Sequence, residues 1–346
     1  MRIHRGDVRN ETPPENLPDI PLLDVRGKGP AALVGLAPER VAAIIAHGRR
    51  SYGGLALRWG DRATWRWLTR NGNPYRDDIT EVAEHISMPG AFLLNLSYEW
   101  TCTSAVGPDP GGTGNRMLRT LDWPLPGLGT NVVVARQDGG AGSYYNVTWP
   151  GFVGVLTAMA PSRFSAAINQ PPMRMHTRSC WFDWAIARTG MWRKSGLPPS
   201  HLLRKAFDEC GSYADARRLL AEAPVCAPAF FALGGVDDHE GCVIERTEHD
   251  AAIHETPTSI ANHWLAFDLP GRVRGADSAG RRKLMESLRV TAPNDFSWVI
   301  PPILNPMTRL AVVANAARDF LLAWGWEADG PATRVFSLEE HRSADT

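Results

Sequence analysis

A single cysteine, Cys102, stands where a reactive thiol and its supporting charges could come together. It lies among small hydroxyl residues at the start of an apolar segment, and a turn rich in Gly and Pro follows at 108–114. The chain then resumes with Arg119 and, three residues later, Asp122. A thiol reacts only as the thiolate, so a nucleophilic cysteine needs a cation or a base nearby. If the turn closes a β-hairpin, it brings Arg119 and Asp122 back beside Cys102, which predicts a nucleophile with its supports.

The alternative interpretation of these residues is structural. Free cysteine usually behaves as a small hydrophobic residue inside a strand. An arginine and an aspartate three residues apart can be an unrelated, exposed ion pair. Residue types and spacing alone leave both interpretations open.

The order Cys-Thr-Ser, turn, Arg-x-x-Asp at 102–122 resembles the start of the mature catalytic chain in the cysteine N-terminal-nucleophile (Ntn) hydrolases. That group includes acid ceramidase, N-acylethanolamine acid amidase, the choloylglycine hydrolases and the isopenicillin N acyltransferases. The resemblance implies cleavage before Cys102, which separates a mostly helical segment, 1–101, from a catalytic segment, 102–346. An α-amine has a pKa of about 8, so the new terminus can act as the base for the thiol.

The resemblance extends to two candidate oxyanion-binding stretches. Asn169 and Gln170 end a predicted strand before a Pro-Pro pair, where the family's loop lines the substrate pocket and offers a backbone N–H to the oxyanion. The amidase and ceramidase members carry glutamate where Gln170 stands, so only the backbone role carries over; a simple turn is the structural alternative. Asn262 and His263 match the family's Thr-Asn-His/Tyr motif, which implies that the Asn262 amide is the second donor.

A second arginine completes the implied site. Ser278 and Arg281 match the family's Ser-x-x-Arg at the head of a predicted helix. The resemblance implies that Arg281 braces Cys102 and Asn262, whereas the neighbouring Arg282 points to another face. A solvent-exposed helix arginine is the structural alternative.

The pattern of elements changes at Cys102. Before it, helical periodicity predicts helices at 38–49 and from 74 to 86. After it, β-branched runs and Gly-rich turns predict strands at 131–136, 143–149, 151–157, 164–169, 230–233, 242–245, 309–313 and 319–324, with helices at 203–210 and 212–220. Because strands and helices cluster without strict alternation, we expect an α+β fold with antiparallel sheets covered by helices. The resemblance narrows this to a four-layer αββα sandwich of two antiparallel sheets between helix layers.

Composition excludes several classes of protein. Lys+Arg and Asp+Glu both number 37, so the formal net charge is zero and no basic stripe indicates nucleic acid. No apolar run could span a bilayer and no signal-peptide core is evident, which predicts a cytoplasmic protein. The five cysteines form no CxxC pair, which argues against a disulfide framework. His239, Cys242, His249 and His254 fit no zinc spacing, so we predict no metal and no cofactor.

The resulting hypothesis is a self-activated amidohydrolase that cleaves a linear, non-peptide N-acyl amide, a small molecule, through a thioester on Cys102. Three alternatives stay open: an acyltransferase on the same scaffold, an unprocessed thiol enzyme with His176 or His263 as base, and a protein that binds an acyl ligand without turnover. The sequence leaves open whether the chain forms a homo-oligomer. Four tryptophans either wall an apolar acyl pocket or pack in the core: Trp123, Trp149, Trp181 and Trp184.

Overall fold

The computed structural model describes residues 16–52, 54–86, 88–96 and 100–344 of the 346-residue chain. Most of the described residues before Cys102 are helical. The helices of the described part are α1 (Ala32–Leu36), α2 (Pro38–Tyr52), α3 (Gly54–Arg70), α4 (Arg76–Ile86), α5 (Ala91–Asn95), α6 (Cys180–Met191), α7 (Pro199–Glu209), α8 (Tyr213–Glu222), α9 (Ser278–Leu288) and α10 (Leu338–Ala344).

The strands form two large sheets and one small ribbon. They are β1 (Leu22–Asp24), β2 (Thr101–Pro108), β3 (Asn115–Asp122), β4 (Val133–Gly139), β5 (Gly142–Thr148), β6 (Thr157–Ala160), β7 (Phe164–Asn169), β8 (Met173–Arg174), β9 (Ala229–Gly234), β10 (Gly241–Arg246), β11 (Ala251–Glu255), β12 (Thr258–Ile260), β13 (Gly271–Arg272), β14 (Thr308–Asn315), β15 (Phe320–Glu327), β16 (Gly330–Pro331) and β17 (Phe336–Ser337). The first sheet has the order β1-β4-β5-β6-β7-β9-β10-β11 and the second β12-β2-β3-β14-β15-β16, with β17 beside β15. All neighbouring strands are antiparallel except β1 and β4.

The two large sheets pack face to face, and the strands of the second sheet send alternate residues to opposite sides. Cys102 and Val106 of β2 belong to the central core between the sheets, with Phe231 of the first sheet. Ala105 of β2 belongs to a separate core on the outer side. Because side chains along a strand alternate with a period of two, Cys102 must face the interior of the sandwich.

Helices cover both outer faces. Leu203 and Phe207 of α7, together with Leu220 of α8, join the core against the first sheet. Met285 of α9 packs with Ala105 and other apolar residues of the second sheet. This arrangement of helix, sheet, sheet and helix confirms the predicted α+β sandwich.

One predicted strand is wrong. Residues 151–156 form a loop, and the strand begins only at Thr157. The backbone N–H groups of this loop are bonded outside any ladder: Val153 N donates to Asn95 Oδ1 at 2.6 Å, and Val155 N donates to Ser200 O at 3.0 Å. Apolar, β-branched composition therefore reflects burial here and not strand pairing.

A largely buried polar cluster joins the start of α4, in the segment before Cys102, to α7, in the segment after it. Arg204 donates to Asp78 at 2.6 Å, and its guanidinium lies 4.2 Å from the centre of the Tyr75 ring. Tyr75 Oη donates to Asp208 Oδ2 at 3.0 Å. Beside them, Asn73 Nδ2 donates to Nδ1 of His201, which is fully buried. These contacts hold the two segments together independently of the peptide bond between 101 and 102.

This cluster makes stability depend on pH. Burial lowers the pKa of His201 from 6.5 to about 3, so the folded protein keeps the ring neutral. Between those two values the unfolded chain binds a proton that the folded chain does not. The free energy of unfolding is therefore highest above pH 6.5 and decreases as the pH falls below this value. In urea unfolding, lowering the pH from 7 to 5 should cost the wild type about 2 kcal/mol more than the His201→Gln variant. An equal pH dependence in both proteins would contradict this assignment.

Candidate active site

The β2–β3 hairpin sets the centre of the site, as the sequence predicts. The turn that follows Pro108 returns the chain so that Cys102 pairs with Leu121, and Ser104 with Arg119. The Cys102 side chain is fully buried. Arg119 Nη2 donates to Cys102 Sγ at 3.1 Å, and the thiol itself donates to Ile168 O at 3.6 Å. The structure therefore brings a guanidinium to the sulfur.

Arg119 is fixed by groups of the first sheet. Its Nη1 donates to Thr157 Oγ1 at 2.6 Å, and its Nη2 also donates to Ile168 O at 3.0 Å. The guanidinium spans the space between the sheets, where water does not compete for it. Because these partners come from β6 and β7, the stacking of the sheets positions the cation against Sγ.

The backbone of Cys102 is held by side chains where a strand would otherwise pair. β12 pairs with β2 only as far as Ile260, opposite Ser104, and continuing that register sets Asn262 opposite Cys102. The Cys102 N–H instead donates to Asn262 Oδ1 at 3.0 Å, and the Cys102 C=O accepts from Arg281 Nη1 at 2.8 Å. The β12–β2 ladder thus ends before Cys102, and the side chains of Asn262 and Arg281 replace a paired strand there.

Arg281 ties these groups together from α9. Its Nη1 also donates to Thr103 Oγ1 at 2.9 Å, its Nη2 to Asn262 Oδ1 at 2.9 Å, and its Nε to Ala276 O at 2.9 Å. Asp277 caps α9 by accepting from Gly280 N at 3.0 Å, which sets the first turn and so the direction of Arg281. Arg282 points elsewhere and donates to Ser259 O. The structure therefore brings Arg281 to both Cys102 and Asn262.

Asp122 lies at the end of β3, beside the residue before Cys102. Its Oδ1 accepts from Thr308 Oγ1 at 2.9 Å and its Oδ2 from Asn305 Nδ2 at 2.9 Å. Oδ2 lies 3.5 Å from Thr101 Oγ1 and 3.7 Å from Arg281 Nη1. In the continuous chain the Cys102 N–H bonds Asn262 and not Asp122, so the role of Asp122 towards an α-amine stays a prediction.

Asn262 has a donor directed to the strand end that carries the other oxyanion candidates. Its Nδ2 donates to Gln170 O at 2.8 Å, and its backbone N donates to Ser278 Oγ at 2.9 Å. An amide nitrogen carries two N–H groups. The second one has no acceptor among the residues that the structure describes. Asn262 therefore retains a donor for a developing oxyanion, the role that the sequence predicts and that stays a prediction.

Asn169 and Gln170 differ in what they contact. Asn169 is buried at the end of β7, where its Oδ1 accepts from Ser104 Oγ at 2.7 Å and its Nδ2 donates to Ile260 O at 3.3 Å. Its side chain thus locks β7 to β2 and β12. Gln170 contributes its backbone carbonyl to Asn262, and its own side chain lines a cavity.

Burial decides the charge of the thiol in the continuous chain. It raises the pKa of Cys102 to about 11, against the opposing effect of Arg119; Asp122 raises this pKa further and Arg281 lowers it. Burial also raises the pKa of Asp122, against Arg281 and the hydrogen bonds that it accepts. Both arginines therefore favour the thiolate, but the thiol keeps its proton at neutral pH unless a base removes it.

Sequence reasoning missed several residues that support the site. Thr157, Asn305 and Thr308 hold Arg119 and Asp122, but isolated Thr and Asn residues carry no sequence signal. Ser278 was visible in the Ser-x-x-Arg match, although its contact with Asn262 N was not. Gly275 has a φ of +68°, and a Cβ there would lie 2.9 Å from Thr101 Oγ1, so only glycine fits.

Two histidines considered as bases lie away from the sulfur. His263 Nδ1 is 2.8 Å from Ser278 Oγ, and His176 lines the same cavity as Gln170. Among the described residues, no histidine is hydrogen-bonded to Cys102 Sγ. The unprocessed Cys-His alternative therefore finds no support in the geometry.

Two of the four tryptophans form a cluster next to the site. Trp123 packs against Trp100 and Trp149, with ring centres 5.2 Å and 6.3 Å apart, and both Trp123 and Trp149 line a small apolar cavity. The side chains of Trp123 and Trp149 are therefore part of the hydrophobic core and also part of the wall of this cavity. The side chains of Trp181 and Trp184 lie outside the described part of the structure.

Neither a metal site nor a membrane helix is found in the described part of the chain. Within 16–52, 54–86, 88–96 and 100–344, no three His, Cys, Asp or Glu side chains are grouped to hold an ion. His254, one of the candidates set aside, bonds Glu245 Oε1 at 2.8 Å. No helix of these residues combines the length and the apolarity that crossing a membrane requires.

Comparison with known proteins gives relatives but no matching family model. The chain is 29% identical over 181 residues to the N-acylethanolamine-hydrolyzing acid amidase of Mus musculus. The aligned region covers 50% of this chain and 47% of that protein. It is 28% identical over 215 residues to a probable acid ceramidase of Caenorhabditis elegans. That alignment covers 56% of this chain and 52% of the ceramidase. The chain thus spans about half the length of these relatives.

A solved structure, of the Caenorhabditis elegans N-acylethanolamine-hydrolyzing acid amidase ortholog, aligns over 68% of this chain and 100% of that chain. The sequence identity is 18% and the TM-score is 0.49. The conclusion rests on the sequence relatives. They confirm the resemblance to the acid ceramidases and N-acylethanolamine acid amidases within the cysteine Ntn hydrolases.

Proposed function

We propose that the chain is an amidohydrolase that activates itself by cleavage between Thr101 and Cys102 and then cleaves N-acyl amides. One observation carries the proposal: each polar group of Cys102 is held by a different side chain. Asn262 accepts from its N–H, Arg281 donates to its C=O, and Arg119 donates to its Sγ. A structural cysteine in a strand needs none of these contacts, because the ladder satisfies its backbone and a thiol is a weak hydrogen-bonding group.

Cleavage supplies a base, which the described residues bonded to Cys102 Sγ do not offer. The freed α-amine of Cys102 has an ordinary pKa near 8 and takes the thiol proton. Sγ then attacks the amide carbonyl, and Asn262 Nδ2 with a backbone N–H near Gln170 stabilises the oxyanion. The α-ammonium protonates the leaving amine, which departs and leaves a thioester. Water adds to the thioester, releases the carboxylic acid and restores the thiol.

The names of the relatives and an apolar cavity near the site support a substrate class. The relatives are named for hydrolysing N-acylethanolamines and ceramide, both linear amides of an acyl chain. In this chain an apolar cavity lined by Trp123, Trp149 and Phe152 lies next to the end of β3. We therefore infer an N-acyl amide with an apolar acyl group as the substrate.

Self-cleavage gives the first test of this proposal. Intact mass spectrometry of the wild type should show two fragments, 1–101 and 102–346, and Cys102→Ala should show one full-length chain without activity. Cys210→Ala is the matched control, since Cys210 is also a buried free cysteine but lies on the far side of the first sheet, and it should process normally. A full-length wild-type chain with full amidase activity would overturn the N-terminal-nucleophile mechanism.

The two roles of Asn262 can be separated by substitution. Asn262→Asp keeps an oxygen for Cys102 N and Arg281 but removes the Nδ2 donor, whereas Asn262→Ala removes both. If the donor stabilises the oxyanion, both variants should lose about 100-fold or more in kcat, measured on processed enzyme, with a smaller change in KM. Retention of kcat in Asn262→Asp alone would limit Asn262 to a positioning role.

Asp122 gives a test of how the α-amine is oriented. Asp122→Asn preserves shape but removes the charge that faces the new N-terminus, so kcat should fall by ~100-fold while the thermal midpoint changes little. Asp109→Asn is the matched control, because Asp109 is equally buried at the other end of the β2–β3 hairpin. If both variants turn over at similar rates, Asp122 is not part of the mechanism.

A further inference from the structure

Asn262 lies beyond the end of a strand ladder, so contacts other than strand pairing set the direction of its amide. β12 pairs with β2 only as far as Ile260, and Asn262 follows two residues later. Its Nδ2 donates to Gln170 O at 2.8 Å, and its Oδ1 accepts from Cys102 N at 3.0 Å. An oxyanion donor is effective when it is aimed before the charge develops, so the group that holds the Asn262 backbone matters for the proposed reaction.

The hydroxyl of Ser278 holds that backbone. Asn262 N donates to Ser278 Oγ at 2.9 Å, and Ser278 is buried at the first position of α9. A hydroxyl accepts through its lone pairs and donates one hydrogen, so this contact leaves the Ser278 O–H able to donate. His263 Nδ1 lies 2.8 Å from the same oxygen, and no other acceptor for this O–H is found among the residues that the structure describes.

His263 is suited to accept this hydrogen bond. Burial, reinforced by the positive charges of Arg282 and Arg281, lowers the pKa of His263, so its ring stays neutral at neutral pH. A neutral imidazole has one N–H and one acceptor nitrogen, and the Ser278 O–H selects Nδ1 as the acceptor. Each bond of such a chain polarises the next, so donation to His263 makes Ser278 Oγ a stronger acceptor for the Asn262 N–H.

Other side chains attach α9 to β12 without this hydroxyl. Ser259, the middle residue of β12, donates through Oγ to the Glu286 carboxylate of α9. The C=O of Ser259 accepts from Arg282 Nε of the same helix at 3.1 Å. The Ser278 hydroxyl therefore acts on Asn262 more than on the position of the helix.

We propose that Ser278 and His263 are positioning residues for the reaction: His263 orients the Ser278 hydroxyl, and this hydroxyl holds the Asn262 backbone so that Nδ2 is directed at the oxyanion. Both residues act through Asn262, and neither serves as a base. The inference rests on the proposed amidase function and adds two residues to it. It gives His263 a role that differs from that of a base for the thiol.

Substitution of Ser278 is the first part of the test. The substrate is N-lauroylethanolamine, and kcat is expressed per processed chain, counted by intact mass spectrometry. Ser278→Ala should lower kcat about 10-fold with a smaller change in KM, because the oxyanion donor is misdirected while the substrate still binds. Ser259→Ala is the matched control, since it removes a buried hydroxyl that joins the same strand and helix without contacting Asn262. Its kcat should stay within about twofold of the wild type.

A double-mutant cycle with Asn262 separates positioning from a general loss of structure. If Ser278 acts through Asn262, Ser278→Ala should lower kcat no further once Asn262 is replaced by alanine. The double variant should then match the ~100-fold loss expected of Asn262→Ala alone. Independent effects would instead multiply to a loss of about 1,000-fold.

His263 is tested by one variant that removes the acceptor and one that restores it. His263→Phe keeps a planar ring without an acceptor, so kcat should fall about threefold. In His263→Asn the side-chain amide places a polar atom where Nδ1 stood, so kcat should return to within about twofold of the wild type. If the ring served only to fill space, the smaller asparagine would be the slower of the two variants.

The outcomes separate the two proposals. If the wild type cleaves N-lauroylethanolamine but Ser278→Ala keeps its kcat, or if the double variant shows the product of the single losses, the positioning inference is wrong and the amidase function stands. If His263→Asn is slower than His263→Phe, the inference is wrong as well, and this pair decides it where Ser278→Ala yields no processed chain. If the processed wild type cleaves no N-lauroyl amide, the proposed function falls and the inference falls with it.

Discussion

The buried guanidinium of Arg281 is the contact on which the arrangement at Cys102 depends. It joins the carbonyl of Cys102, the hydroxyl of Thr103 and the amide oxygen of Asn262 within one planar group. A guanidinium removed from water is tolerated only when its donors are satisfied, so each of these acceptors is fixed in turn. The cation therefore fixes the backbone and side chains at the end of the β12–β2 ladder. Because Arg281 lies on α9, the position of this helix determines where the guanidinium lies.

The second buried arginine acts from the opposite side. Arg119 meets the sulfur inside the sandwich, and its Nη groups also donate to Thr157 Oγ1 and to the carbonyl of Ile168. Burial lowers the pKa of Arg119, because a cation in the interior loses its hydration. Proximity to the Cys102 sulfur offsets part of this lowering. Two cations thus flank one cysteine, but the thiol pKa of about 11 shows that they do not outweigh burial. Charge alone therefore leaves the thiol protonated in the continuous chain, and in the proposed mechanism a base removes this proton.

The sequence predicts what local pairing determines. The turn after Pro108 sets the register of β2 and β3, so the contact between Arg119 and Cys102 follows from spacing and from the period of a strand. Helices α2 and α4 and the hairpin near the C-terminus follow from periodicity in the same way, whereas α1, α3 and α5 were not predicted.

What the sequence does not predict is where pairing stops. The position of Asn262 depends on β12 ending at Ile260, and no residue type in the sequence indicates that the strand ends there. The loop at 151–156 resembles a strand because burial selects the same apolar residues, although its N–H groups bond to Asn95 and Ser200. Helix α6 also lacked a clear signal, since its apolar residues do not keep to one face. The cavity beside Gln170 is lined by residues of α6, of the loop after β7 and of the segment before β9, which come together only in three dimensions.

The proposed mechanism explains why one set of groups serves both the intact and the cleaved chain. An amide nitrogen has one N–H, and Asn262 Oδ1 accepts it in the continuous chain. An α-ammonium has three N–H groups and needs further acceptors. In that mechanism, departure of Thr101 removes the hydroxyl that lies 3.5 Å from Asp122 Oδ2 and leaves that carboxylate facing the new terminus. Thr308 and Asn305 hold Asp122 in the continuous chain, so in the proposed mechanism the acceptor for the ammonium is already in position before the bond is cut.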